Sequence, residues 1–152
     1  MAAEPMGMAA QTTAYAGFWR RFAAYLIDSI LFGIVVVPIV LVALPDPTQA
    51  QAAAPPPAFA VLAPLYYLVT WLYFALMESS GRQATLGKMA LGIVVTDLDG
   101  NRIGFGKATA RFFAKILSGL ILYIGFIMAA FTQKKQGLHD MIAGTLVVKR
   151  AA

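Results

Sequence analysis

Cysteine is absent from the 152 residues, and histidine occurs once. The first absence excludes a disulfide framework, a thiolate metal site and a cysteine nucleophile together. The second leaves no metal site built from histidines. Charge is scarce too: Lys, Arg, Asp and Glu make up 12% of the chain, against about 25% in an average soluble domain. Hydrophobic residues make up 60%, and a single soluble domain of this length could not wet its surface with so few polar side chains. An ordinary cytosolic enzyme is therefore excluded. No serine stands in a nucleophile-elbow context and no paired-carboxylate motif is present. Thr85-Leu86-Gly87-Lys88 lacks the first glycine and the spacing of a phosphate loop. No enzymatic activity, cofactor or metal is expected.

What is abundant is uninterrupted apolar sequence. Residues 22–44 carry a single charge, Asp28, and residues 59–77 carry none. At about 1.5 Å of rise per residue each is long enough for a hydrocarbon core of roughly 30 Å. Pro38 and Pro64 inside these runs mark kinks. Arg20-Arg21 before an apolar run resembles the start of a signal peptide, but the run far exceeds a signal h-region and contains Asp28. Residues 45–58, with five prolines and no Lys or Arg, read as an extended loop, and residues 1–16 as a flexible N-terminus. The net charge of +5 is concentrated before the first helix and after the second, so the positive-inside rule places the N-terminus in the cytoplasm and the Pro/Ala loop outside.

Residues 112–131 form a third apolar stretch. A single crossing would put Lys134, Lys135, Lys149 and Arg150 outside; a re-entrant hairpin turning near Ser118-Gly119 keeps every basic residue on one side and is favoured. Lys107, Arg111 and Lys115, four apart, share one face of a basic amphipathic helix suited to the lipid headgroup layer, or simply flank a span. No aromatic platform accompanies them, which argues against nucleic acid. Residues 92–102 and 145–150 have strand character and are expected near one another in a small cytoplasmic cap; Asp97, Asp99 and Asn101 form a turn, not a calcium loop. The fold expected is an all-α membrane protein with two transmembrane helices, a third re-entrant or spanning segment, and a cap with short β-strands.

Asp28 is the outstanding polar residue. An ionised carboxylate within a membrane helix costs about 2.5–3.5 kcal/mol on insertion scales, so it should face protein or water and have a partner. Arg21, seven residues earlier, lies on the same helix face but about 10 Å away along the axis; Arg111, Lys115 and His139 are alternative partners. Glu78 reads as a solvated end of the second helix. Asp140 suits the N-cap of a short final helical turn. Arg21, Asp28, Glu78 and Asp140 together are the candidate proton or cation site, or else a polar packing lock.

The segments AGFWRRFAAYLID, ATLGKMALGIVV and QGLHDMIAGTLVV, in this order and spacing, resemble the RDD family of small bacterial membrane proteins. The resemblance spans nearly the whole chain apart from the Pro/Ala loop, as a single membrane domain over residues 1–152. It implies that Arg21, rather than Arg20, is the family's arginine, and that Asp28 and Asp140 are its aspartates. It also implies a multi-pass protein of the bacterial inner membrane. Some members are linked to sodium/proton antiport, so the resemblance implies a proton or monovalent cation as partner. Two or three spans enclose no pathway, and transport would require a homo-oligomer or a larger complex. The alternative is an accessory or structural membrane protein.

Overall fold

A computed structural model describes residues 14–43, 57–120 and 124–150. Most of the expected 1–16 terminus, most of the 45–58 loop and the centre of the third apolar stretch lie outside the described residues. Two long helices dominate: α1 (Phe18–Ala43) and α2 (Pro57–Ser79). Both are long and apolar enough to cross a membrane, and both run through their prolines, Pro38 and Pro64. Most of their large apolar side chains are exposed, as expected where lipid rather than water is the solvent. α1 buries little apart from Ala24 and Asp28.

The remaining elements gather at one end of this pair. They are α3 (Leu86–Ala90), β1 (Ile93–Asp97), α4 (Phe105–Leu120), α5 (Ile124–Phe131), α6 (Leu138–Ala143) and β2 (Thr145–Lys149). β1 and β2 pair antiparallel, with Ile93 opposite Lys149 and Asp97 opposite Thr145, so the two strand-like runs meet as expected. The turn after β1 is held by the Asp97 carboxylate, which accepts from the N–H groups of Asp99 and Asn101, with Gly100 at positive φ. The end of the N-terminal segment is fixed and not flexible: Tyr15 bridges Val148, Ala16 N–H donates to the Val147 carbonyl, and Lys149 N–H to that of Ala14. The core sits here, with Ala16, Ile93, Val95, Ile103 and Val147 against Ala24 of α1 and Ala75 of α2.

This cap constrains the third apolar stretch. Residues preceding α1 bridge β2, β1 follows α2, and β2 pairs with β1. β1 precedes α4 and β2 follows α6, so the chain returns to the same small sheet after α5, the arrangement that a re-entrant segment requires. α4 and α5 meet at 102°. α4 runs to Leu120 and so continues through Ser118-Gly119, where the sequence suggested the turn. Ser118 is buried, and a Cβ at Gly125 would lie 2.8 Å from its Cβ. That glycine lets α5 close onto α4.

Candidate functional site: a buried polar network between helices and cap

Asp28 is 2% exposed, and among the described residues it has no cationic partner. Its Oδ1 accepts from the Tyr73 hydroxyl (2.8 Å) and the Gly87 N–H (2.8 Å), and its Oδ2 from the Thr85 hydroxyl (2.7 Å). Thr85 is the N-cap of α3. The positive end of α3 and two hydroxyls thus replace the water a carboxylate would otherwise need. Tyr73 serves twice, because its oxygen also accepts from the Leu86 N–H (2.9 Å). The partners expected from the sequence, Arg21, Arg111, Lys115 or His139, are corrected by this geometry. The shared face of Arg21 and Asp28 is real, yet the rise between them sends the two side chains to different elements of the cap.

Arg21 reaches across to α6 and pairs with Asp140 Oδ2, and its Nε donates to the Ala16 carbonyl (2.9 Å). Arg20 beside it is exposed, which assigns the paired arginine to position 21. Asp140 is wholly buried. Its Oδ1 lies 2.9 Å from Arg111 Nη2, an ion pair without an aligned hydrogen bond. Its Oδ2 also accepts from the Gly137 N–H (3.1 Å). Gly137 is the N-cap of α6; Asp140 is not the cap itself but the third helical residue, reaching back to it. Burial works to raise the Asp140 pKa, but Arg111 and Arg21 outweigh it and hold the carboxyl well below the usual range. Burial lowers His139 to about 3, against the pull of Asp140. The ring is neutral at physiological pH, and it packs 4.9 Å from Phe126.

Glu78 is not a solvated helix end. It is 1% exposed and meets three cations: Lys88, Arg111 (3.5 Å) and Lys115 (3.4 Å). Arg111 links both carboxylates, so the pairs run Arg21, Asp140, Arg111, Glu78 and Lys88 through α1, α6, α4, α2 and α3. Burial lowers Lys88 to about 7, opposed by Glu78. The headgroup face proposed for Lys107, Arg111 and Lys115 is corrected as well. Lys107 is exposed, but Arg111 is 2% exposed and Lys115 bridges Glu78 and the Phe74 ring. In a membrane an amphipathic helix is inverted: its ionisable side chains turn inward and Phe113, Ile116, Leu117 and Leu120 are exposed outside.

The structure thus divides the four candidate residues between two sites. Arg21, Asp140 and Glu78 join one network through Arg111. Asp28 sits apart, with Tyr73, Thr85 and Gly87 as partners not anticipated from the sequence. Thr85 carries a local signal, since a threonine opening TLGKMA suits an N-cap. Tyr73 carries none, because its link to Asp28 depends on how α1 meets α2. The arrangement can clamp five elements together. Among the described residues no group of three His, Asp or Glu could hold a metal ion.

The model of the RDD family matches residues 15–144. Over 149 residues the chain is 43% identical to the uncharacterized protein YxaI of Bacillus subtilis, covering 88% of this chain and 96% of that protein. It is 37% identical over 147 residues to the uncharacterized membrane protein YteJ of the same organism, covering 90% and 82%. A third Bacillus subtilis relative, the uncharacterized protein YckC, is 30% identical over 141 residues, covering 87% and 83%. No solved structure matches the chain. Two apolar spans, a cap closed by the arginine and both aspartates, and a family match across that whole unit lead to one conclusion: the chain is a membrane protein belonging to the RDD family.

Proposed function

We propose that the chain is an accessory integral-membrane unit of the bacterial cytoplasmic membrane, whose arginine and aspartate residues lock a cytoplasmic cap onto the membrane helices, and that it acts within a homo-oligomer or a larger membrane complex. One observation carries this reading. Among the described residues the three buried carboxylates are all engaged: Asp28 by three neutral donors, Asp140 by two arginines, and Glu78 by three cations. A carboxylate that exchanges a proton for a cation must change partners in turn, whereas these are held by fixed donors and cations from several elements at once. The basic residues support the cytoplasmic side for the cap: they flank or form it and leave the far ends of both spans without Lys or Arg.

A second reading, movement of a proton or a small monovalent cation, is favoured by a recess of about 60 Å³ beside Asp28, lined also by Ser29 and Thr70. Asp28→Asn separates the two. The asparagine amide would turn N–H groups toward donors already aimed at the carboxylate. The lock reading therefore expects loss of folded protein from the membrane. Transport gains if protein level and assembly survive while salt or alkali tolerance is lost. Vesicles loaded with a pH dye give the complementary result: no sodium- or lithium-dependent proton flux removes the transport reading. Flux abolished in a folded Asp28→Asn variant overturns the lock as the main function.

A further inference from the structure

Between α1 and α2 lies a groove of about 620 Å³, lined by Leu31, Val35 and Ile39 of α1 and Phe59, Leu62 and Ala63 of α2. Toward the cap it runs into the recess beside Asp28, since both share Phe32 and Tyr66. The recess differs in chemistry: Asp28, Tyr25, Ser29, Tyr66 and Thr70 line it. Thr70 satisfies its hydroxyl on the Tyr66 carbonyl (2.7 Å). Among the described residues, the hydroxyls of Tyr25, Ser29 and Tyr66 make no hydrogen bond. An apolar slot of this size that ends in a few polar groups has the form of a small-molecule site.

The bilayer limits what could occupy it. An alkyl tail gains little by leaving lipid for an apolar groove, because lipid chains are as apolar as the groove walls. Selectivity must come from the polar end, where hydrogen bonds in a low dielectric are strong and unpaired hydroxyls are costly. The Asp28 carboxylate at that end repels a phosphate or carboxylate head and accepts from an O–H or N–H donor. We propose that this cleft binds a long-chain amphiphile with a small, uncharged or cationic, hydrogen-bond-donating head, its tail between α1 and α2 and its head among Asp28, Ser29 and Tyr25. The proposal does not depend on the accessory reading, because it needs only the cleft and the charge beside it.

Photolabelling tests it on the full-length protein in nanodiscs. The probes are a diazirine-bearing octadecanol and the matching octadecanoic acid, with labelled peptides mapped by mass spectrometry. The alcohol should label residues 31–39 and 59–66 saturably, be displaced by unlabelled octadecanol, and exceed the acid at least fivefold. Ala63→Trp fills the groove and Ser29→Ala removes a head contact; neither touches the ion-pair network. The first should cut labelling at least tenfold and the second severalfold, with the thermal transition unchanged. Should Ala63→Trp fail to fold, displacement by unlabelled octadecanol decides. Label spread evenly over the lipid-facing surfaces of both helices, without saturation, overturns the site. Equal or stronger labelling by the acid overturns the assignment of the head.

Discussion

At Gly87 the backbone of α3 comes so close to α1 that an added Cβ would lie 2.1 Å from the Ala24 carbonyl oxygen and 3.0 Å from the Asp28 carboxyl carbon. That approach lets the Gly87 N–H reach Asp28, so the glycine is required by space. Gly87→Ala should push α3 off α1, break the hydrogen bonds of Gly87 and Thr85 to Asp28, and lower the thermal transition as much as loss of the carboxylate. An unchanged transition would mean that the contact contributes little. Lys88, next in the chain, gives a pH dependence of definite sign. Its amine falls to about 7 in the folded protein from an ordinary 10.5. Between those values the unfolded chain binds more protons, so stability should rise as pH climbs from about 7 toward 10. His139, lowered to about 3 from 6.5, acts in the same direction at lower pH: stability is lost as pH falls through that interval. Thermal unfolding across pH 4 to 10 measures both, and Lys88→Met should flatten the upper part alone.

Among the elements, α4 departs most from its appearance in sequence. Its four-residue basic spacing identifies a helix with one cationic face, but spacing cannot tell whether that face meets headgroups or protein. Glu78 and Asp140 decide it, since each offers Arg111 a carboxylate from a different element. The sequence places these acids 33 and 29 residues from Arg111, and only the packed cap brings them together. Positions on the same stripe should therefore respond very differently. Arg111→Gln leaves two buried carboxylates short of a partner and should cost about 3–5 kcal/mol, the range for breaking a buried ion pair. Lys107→Gln, at an exposed position, should stay within about 0.5 kcal/mol. Similar losses at both would contradict the inverted orientation of α4.

In the whole molecule, apolar length made both spans legible, and β-branched runs made both strands legible. The intramembrane cost of Asp28 marked it for a partner. What stayed hidden were the long-range choices: Tyr73 and Thr85 in place of an arginine for Asp28, and three cations around an acid that looked solvated. Such choices are set by how elements cross, which no local pattern encodes. The cap also fixes relative sidedness, since residues before α1, after α2 and after α5 share it. The absence of native cysteine makes this testable with one introduced thiol. Lys134→Cys, at an exposed position after α5, should react with an impermeant maleimide only after the membrane is permeabilised; labelling of intact cells would place the cap outside.

The lock itself is tested most directly by a double-mutant cycle on Arg21→Gln and Asp140→Asn, read as thermal or denaturant stability of the purified protein. Each single change strands a buried charge or leaves the remaining arginine short of its carboxylate, so the double variant should be less destabilised than the sum of the two. A coupling of about 1–3 kcal/mol is expected for groups in one ion-pair network. Additivity within about 0.5 kcal/mol would contradict a lock built on this pair.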